Sequence, residues 1–372
     1  MKREFLQTSI ILAAVGMLLA STYPHVGACP DSTVFVGVAK NWLAGRGLTM
    51  PVVGVSLTHY PPFYPLMLSA AGYLGVDMLQ WALGWDVVFL VANILLAGAI
   101  ASRMGFRDTT LPVALIAFCP GILTVHWMVW SEPAFIFLGF AGLLAVDIYL
   151  KSERTAVLWV AGLLMALAWL DRYIGIALIA GAGGALWLFS HRRVRDLLIF
   201  GVVSTAPLLL WLAHNVVRIG NATNRTIAFK PVTLLEGLAL IFELLLAGAL
   251  YLFLKRRNAG IIHQMLALTI FAHTAVLAFT VCLVDLDTPV LDTRIQVPVM
   301  FAGLLLLPWL ASLLQPRTAR IFSALLVLVV VVQLLGSLFY SAVGFAKGLE
   351  YSDGRWVQGN LSIPAHPWDE EG

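Results

Sequence analysis

Long apolar segments alternate with short polar ones along most of the chain. Each is close to the ~20 consecutive apolar residues that a helix needs to cross a bilayer core. The segments lie at about 5–22, 79–101, 109–127, 132–150, 155–171, 173–190, 195–213, 233–254, 263–284, 295–314 and 319–341. The pattern predicts an all-α polytopic membrane protein with about eleven transmembrane helices. We expect the first segment to be a retained anchor, since its apolar run is long and no small-residue cleavage pattern follows it.

The stretch between the first two predicted spans has a different pattern. Pro30 and Asp31 begin a helical period, and Gly45 and Gly47 follow its last apolar residue. The apolar positions of that period are Val34, Phe35, Val38, Trp42 and Leu43, whereas Ser32, Lys40 and Asn41 lie elsewhere on the helix. The spacing predicts an amphipathic helix that lies along the membrane surface. The following sequence HYPPFYP, from His59, predicts a rigid start to a second interfacial helix, because proline fixes φ.

Composition supports a membrane protein and excludes other classes. Of the 372 residues, 60% are hydrophobic and only 12% are charged, which excludes a water-soluble domain of this length. The formal net charge is +3, and the basic residues are spread between spans rather than gathered in a patch that would bind nucleic acid. We expect no nucleic-acid partner.

The basic residues also predict an orientation. With the N-terminus in the cytoplasm, the cytoplasmic loops carry Lys2, Arg3, Arg103, Arg107, Lys151, Arg154, Arg192, Arg193, Arg195, Lys255, Arg256, Arg257, Arg317 and Arg320. The opposite face holds Asp31, Glu132, Asp171, Asp285, Asp287 and Asp292. We therefore predict a transmembrane domain at 1–345, an external first loop at 23–77 that carries the site, and a short external tail at 346–372.

Asp31 has two interpretations. It is placed to cap the interfacial helix, which alone would stabilise that helix by ~0.5–2 kcal/mol. It is also a carboxylate at the membrane surface, shortly before the Tyr-Pro-Pro-Phe-Tyr-Pro segment and on the same face as Glu132. The second interpretation makes Asp31 a candidate catalytic residue. Asp86, Asp147 and Glu243 are further suspects, since acids within membrane helices are costly.

Several stretches together resemble the GT-C-fold glycosyltransferases, in the branch of the protein O-mannosyltransferases and the lipid A aminoarabinose transferases. PDSTVFVGVAKNWLAGRGL and HYPPFYPLMLSAAGYLG look like the first external loop of that family. Trp130-Ser131-Glu132-Pro133 resembles its second acidic motif. Asp171-Arg172-Tyr173 resembles its basic-aromatic step, and Thr293 to Pro298 resembles its later Arg-x-x-x-Pro element. The chain departs from the family where His59 and Tyr60 precede the double proline and where Ser32 follows Asp31.

The resemblance implies a GT-C-like bundle that transfers a sugar, with inversion, from a polyprenyl-phosphate carrier to a lipid, glycan or protein acceptor. It implies that Asp31 is the base and that Glu132 is a second catalytic acid. Arg172 and Arg294 would hold the phosphate, and snorkelling to the surface is their alternative. The remaining candidate substrate-binding residues are Lys40, His59, Tyr60, Tyr64 and Tyr173. A divalent metal ion, if one is used, would be held by Asp31, His59 and Glu132.

The resemblance also implies an integral protein of the bacterial plasma membrane with an outward-facing site. A polytopic transporter or lipid flippase is the alternative from another class. It would use the acids as a route through the bilayer. The absence of an internal repeat and the collection of polar candidates at one surface favour the enzyme. A relative that binds lipid-linked sugars without catalysis stays open.

Overall fold

The computed structural model describes residues 2–22, 26–51, 56–223, 234–283, 293–347, 349–352 and 355–358. Asp285, Asp287 and Asp292 of the predicted outer face lie outside these residues. The helices are α1 (Lys2–Ser21), α2 (Pro30–Leu43), α3 (Phe63–Leu74), α4 (Met78–Arg103), α5 (Thr110–Ala117), α6 (Pro120–Thr124), α7 (Glu132–Ser152), α8 (Thr155–Asp171), α9 (Ile176–Phe189), α10 (Arg193–Ile219), α11 (Leu234–Arg256), α12 (Ile261–Leu283), α13 (Thr293–Ser312) and α14 (Pro316–Lys347).

Two small elements complete the described chain. A 3-10 turn at Tyr173–Gly175 joins α8 to α9. Strands β1 (Leu349–Ser352) and β2 (Arg355–Gln358) form an antiparallel hairpin after α14, within the predicted tail. The division of the chain at residue 345 stays a prediction.

The helices confirm the polytopic membrane fold. Among the described residues, eight helices are long and apolar enough to cross a membrane, and they belong to α1, α4, α7, α10, α11, α12, α13 and α14. The apolar helices α8 and α9 are shorter. The total of about eleven spans stays a prediction.

The predicted span at 109–127 is wrong as a single helix. Helix α5 ends at Ala117, and α6 begins at Pro120, which lacks the N–H that a continuous helix would use at that position. Leu115 and Ile116 are fully buried in the protein core, so this segment is apolar because it packs against protein. Hydrophobicity alone does not separate a core segment from one that faces lipid.

Helix α7 lies at the centre of the bundle and carries a buried acid near each of its ends. It packs against α4 and α8, and Phe140 on α7 lies 4.5 Å, ring centre to ring centre, from Phe301 on α13. Glu132 begins α7. At the other end of the helix, the buried carboxylate of Asp147 pairs with Arg103 Nε at 2.7 Å and with Lys151 Nζ at 3.1 Å. Asp147 is therefore neutralised in an ion-pair cluster at the end of the bundle opposite Glu132.

The helix that we predict to lie along the membrane surface has the predicted bounds. Helix α2 runs from Pro30 to Leu43, and Gly45 and Gly47 follow with φ of 74° and 75°, values that glycine adopts without steric cost. Ser32 and Asn41 are buried, contrary to the expected polar face. Asn41 donates through Nδ2 to the carbonyl oxygen of Thr49 at 3.0 Å. These polar groups hold the loop in place instead of facing water.

Candidate active site

Asp31 is the second residue of α2 and does not cap it. The N-cap position belongs to Cys29, and no side chain makes a capping hydrogen bond there. The two oxygens of Asp31 have other partners: Tyr60 Oη donates to Oδ1 at 2.7 Å, and Arg294 Nη2 donates to Oδ2 at 2.8 Å. The interpretation of Asp31 as only a helix cap is therefore wrong, and its carboxylate belongs to a polar cluster.

Glu132 is the first residue of α7, and its side chain is buried. Its Oε1 accepts a hydrogen bond from Arg294 Nε at 2.9 Å and lies 2.8 Å from Arg172 Nη1. Its Oε2 has no hydrogen-bond partner among the described residues. One carboxylate oxygen thus holds two guanidinium groups.

Arg294 joins the two acids. It lies 263 positions from Asp31 and 162 from Glu132 in the sequence, and it donates to both. Its Cζ lies 3.8 Å from the centre of the Trp130 ring, a distance that favours a cation–π interaction. Arg294 and Arg172 are therefore paired with carboxylates rather than extended to the membrane surface.

Contacts between the first loop and the start of α7 bring Asp31 close to Glu132. Gly27 N donates to the carbonyl oxygen of Trp127 at 2.9 Å, and Val129 N donates to the carbonyl oxygen of Gly27 at 3.0 Å. Ser32 Oγ donates to the Val129 carbonyl oxygen at 3.0 Å, and Trp130 Nε1 donates to Cys29 Sγ at 2.9 Å. These bonds hold the chain on both sides of Asp31 against the segment that precedes α7. Sequence pattern gave no sign of them, since each joins residues about a hundred positions apart.

The cluster keeps Asp31 ionised. Partial burial alone would raise the pKa of its carboxyl, but the Tyr60 hydroxyl and the Arg294 guanidinium together hold that pKa below its ordinary value of 3.8. The Asp31 carboxylate is therefore charged at neutral pH and able to accept a proton.

Three of the other predicted substrate-binding residues lie at or next to the cluster. Tyr173 Oη donates to the carbonyl oxygen of Thr58 at 2.9 Å, and the His59 ring centre lies 4.7 Å from that of Tyr60, so both lie at the site. Tyr64 is buried and packs edge-on against Phe35, as Tyr60 does.

Lys40 is not part of this cluster. It is exposed in the last turn of α2, about 14 Å from Asp31 along the helix axis at 1.5 Å per residue. Its predicted contact with the substrate therefore has no support from this arrangement.

The residues expected to hold a metal ion do not fit one. Among the described residues, no group of three or more His, Cys, Asp or Glu side chains is placed to hold a metal. Asp31 and Glu132 instead share the Arg294 guanidinium, and the His59 ring packs edge-on against Tyr60. The positive charge that joins the two carboxylates is that of an arginine.

A cavity of about 610 Å³ opens beside the cluster. Its polar end is formed by Glu132, Asp171, Arg172 and Arg294, together with His59 and Tyr60 of the first loop. Apolar side chains from α10, α12 and α13 form the remaining wall, among them Leu208, Leu212, Val276, Phe279 and Val297. Phe279 is also exposed, so this part of the cavity wall reaches the surface of the described residues. The site has a charged end and a long apolar wall.

The fold is that of known membrane glycosyltransferases. Similar solved structures include the oligosaccharyltransferase of Archaeoglobus fulgidus in its apo form, with a TM-score of 0.59 and 12% identity over 96% of this chain. ArnT from Cupriavidus metallidurans is similar in its apo state, with a TM-score of 0.57 and 14% identity over 85% of this chain. ArnT bound to undecaprenyl phosphate gives a TM-score of 0.57 and 14% identity over 92%. The chain has the GT-C fold.

These likenesses have a limited extent. The chain covers 57% of the length of the oligosaccharyltransferase, and 61% and 69% of the two ArnT chains. The sequence matches no protein-family model and no curated protein. At such low identity the similarity shows the fold, and the chemistry must be argued from the site.

Proposed function

We propose that this protein is an inverting glycosyltransferase that moves a sugar from a polyprenyl-phosphate carrier to a lipid, glycan or protein acceptor. The observation that carries the proposal is an ion-paired cluster beside one largely apolar cavity: Glu132, Arg172 and Arg294 line the cavity, and Asp31 joins them through its bond to Arg294. A carrier lipid has the same two parts, a phosphate and a long apolar chain. ArnT, which shares the fold, binds undecaprenyl phosphate and so supports this donor class.

The phosphate would bind at the two arginines. A guanidinium presents a planar fork of donors that suits phosphate oxygens, and both guanidinium groups line the cavity. Arg294 already donates to Asp31, so an arriving phosphate competes with Asp31 for this group. Glu132 accepts from both arginines and acts as a positioning residue for them.

Asp31 would act as the general base. It removes the proton from the acceptor hydroxyl while the acceptor oxygen forms its bond to the anomeric carbon. The bond from that carbon to the phosphate oxygen breaks on the opposite side, and polyprenyl phosphate leaves. Attack opposite the leaving group inverts the anomeric configuration. Transfer of Arg294 from Asp31 to the phosphate would restore basicity to Asp31, because Arg294 is one cause of its lowered pKa.

We further propose that the site faces outward from the bacterial plasma membrane. Arg103, Lys151 and Arg193 lie at the end of the bundle away from Glu132, which agrees with a cytoplasmic position for the basic end.

The test is consumption of labelled carrier by the purified protein in lipid nanodiscs. Undecaprenyl phosphates that carry glucose, galactose, mannose or an aminopentose are incubated with protein and membrane extract as the acceptor source. Release of undecaprenyl phosphate and appearance of label in a new product are expected for one of them. Movement of intact carrier between leaflets of proteoliposomes, with no bond cleaved, would instead support the flippase.

A further inference from the structure

The carboxyl group of Asp171 is the most unusual acidic group of the cavity. Asp171 is the last residue of α8, it is 3% exposed, and it lines the cavity wall. Neither of its two oxygens has a hydrogen-bond partner among the described residues. Buried carboxylates almost always accept hydrogen bonds, because an unpaired one keeps the full cost of leaving water.

The position of Asp171 at the end of α8 adds to the cost of burying its carboxyl group. The C-terminal end of a helix carries a partial negative charge, so an acid there is less stable than at the N-terminal end. Arg172 follows Asp171 directly, but Arg172 Nη1 lies against Glu132 and donates to Ser131 Oγ at 3.1 Å. Of these two neighbours, Arg172 attracts an ionised Asp171 and Glu132 repels it. The protein thus keeps two unused acceptor oxygens in the wall of its cavity, next to the arginine that we assign to the phosphate.

We propose that Asp171 accepts hydrogen bonds from hydroxyl groups of the donor sugar and thereby selects which sugar is transferred. The inference rests on the proposed function and names a specificity residue for it. Asp171 and Arg172 line the same cavity, and the sugar is attached directly to the phosphate, so a phosphate held by Arg172 brings the sugar into the cavity that Asp171 lines. Two carboxylate oxygens suit two neighbouring hydroxyl groups.

Such a contact discriminates strongly. A site built to bind a hydroxyl rejects an analogue that lacks it, because the buried acceptor is then left unpaired. Leaving such a buried group unpaired changes affinity by about 10- to 100-fold. The acceptor could supply hydroxyl groups of the same chemistry, and the two sources are separated by measuring donor binding in the absence of any acceptor.

The experiment compares the parent, Asp171→Asn and Asp171→Ala in nanodiscs. Affinity is measured for bare undecaprenyl phosphate, for undecaprenyl-phosphate hexoses, and for the corresponding deoxyhexose carriers. We expect Asp171→Ala to lower affinity for the preferred hexose carrier by about 10- to 100-fold, and Asp171→Asn to lower it less. Affinity for bare carrier should not fall, because Asp171 does not contact the phosphate. Discrimination against one deoxyhexose carrier should disappear in Asp171→Ala.

Asp196→Asn is the matched control. Asp196 is another buried acid with an unpartnered oxygen, on α10, and it does not line the cavity. It should leave the preference for hexose over bare carrier unchanged. Thermal unfolding of every variant identifies any loss of folding. Asp171→Asn keeps the shape of the parent side chain and so carries the smaller risk of unfolding.

Three results would overturn the inference. Unchanged hexose-carrier affinity in both Asp171 variants would make the carboxylate a structural group. An effect that appears only in the KM for acceptor would place the acceptor at Asp171. Failure of the parent to bind either lipid would remove the proposed function as well, whereas retained carrier binding with no dependence on Asp171 removes this inference alone.

Discussion

The hydroxyl of Tyr60 donates a hydrogen bond to Asp31 Oδ1 at 2.7 Å, and the two residues come from different parts of the first loop. Since Arg294 donates to the other oxygen, each oxygen of Asp31 already accepts one hydrogen bond before any substrate arrives. Each carboxylate oxygen can accept a second bond, so an acceptor hydroxyl can join these donors or replace one of them. The relationship makes Tyr60 a residue that sets the basicity of Asp31.

Replacement of Asp31 by Asn should remove catalysis without unfolding the protein. Asparagine keeps the shape and an oxygen that accepts from Tyr60, but it loses the negative charge that removes a proton. We expect the transfer rate to fall by about 10²- to 10⁴-fold, measured as carrier consumption by the purified variant.

Asp77→Asn is the matched control for that variant. Asp77 caps α4 by accepting from the backbone N–H groups of Leu79 and Gln80, and asparagine caps about equally well. It should be as active as the parent. Parent-like transfer by Asp31→Asn would place the base elsewhere, with Glu132 the next residue to replace.

Tyr60→Phe should shift the acid limb of the pH profile upward. In the parent the folded pKa of Asp31 lies below 3.8, so its stabilising interactions are complete above that pH and are lost as pH falls through the lower folded value. Phenylalanine removes the hydrogen bond that opposes the effect of burial, so the pKa rises. The measurement is kcat/KM from pH 3 to pH 7, and an identical acid limb in both proteins would contradict the role of Tyr60.

Arg172→Lys and Arg294→Lys should each weaken carrier binding although the charge is kept. Lysine cannot present the planar fork of donors that a guanidinium offers to phosphate. We expect about a tenfold loss of affinity for undecaprenyl phosphate per substitution, measured by equilibrium binding in nanodiscs. Arg103→Lys, which alters an arginine paired with the buried Asp147 at the other end of the bundle, is the control. Equal affinity for undecaprenyl phosphate in all three variants would contradict the proposed role of Arg172 and Arg294 in binding the phosphate.

Gly181→Ala should destabilise the contact between α9 and α12. A methyl group at Gly181 would lie 2.9 Å from the backbone Cα of Thr269, which a side-chain rotation does not relieve. Overpacking of this kind costs about 1–3 kcal/mol. At Gly183, in the same helix, the nearest atom would be 3.7 Å away, so Gly183→Ala should be tolerated. Thermal unfolding in detergent compares the two, and equal melting temperatures would contradict the close packing.

Cysteine labelling tests the proposed orientation. Val76→Cys lies at the end of the bundle that carries the site, and His191→Cys lies between α9 and α10 at the other end. Both positions are exposed. A membrane-impermeant maleimide should label Val76→Cys in intact cells and His191→Cys only after permeabilisation. The reverse pattern would place the site in the cytoplasm.

Local patterns predicted local structure well. The period of apolar residues after Pro30 and the two glycines after Leu43 gave the bounds of α2, because both signals act within a few residues. The break in α5 and α6 was not predictable from apolar content, since Leu115 is buried by protein rather than lipid. A segment that packs against protein can have the same mean hydropathy as one that faces lipid.

The candidate site was predicted as a set of residues but not as an arrangement. The order of the motifs identified Asp31, Glu132, Arg172 and Arg294. Their mutual pairing depends on contacts such as Ser32 to Val129, which join distant segments and leave no periodic trace. The vacant acceptors of Asp171 likewise become visible only when burial and partners are known.

The short helices on either side of Arg172 affect how a lipid reaches the site. Helix α8 has 17 residues and α9 has 14, which correspond to about 26 Å and 21 Å of rise against a hydrocarbon thickness of about 30 Å. If α8 and α9 cross the bilayer as their sequences predict, local thinning is one way to accommodate this hydrophobic mismatch. Thinning would draw the leaflet surface toward Arg172, so that a carrier headgroup could approach the arginine while its tail stays dissolved in lipid.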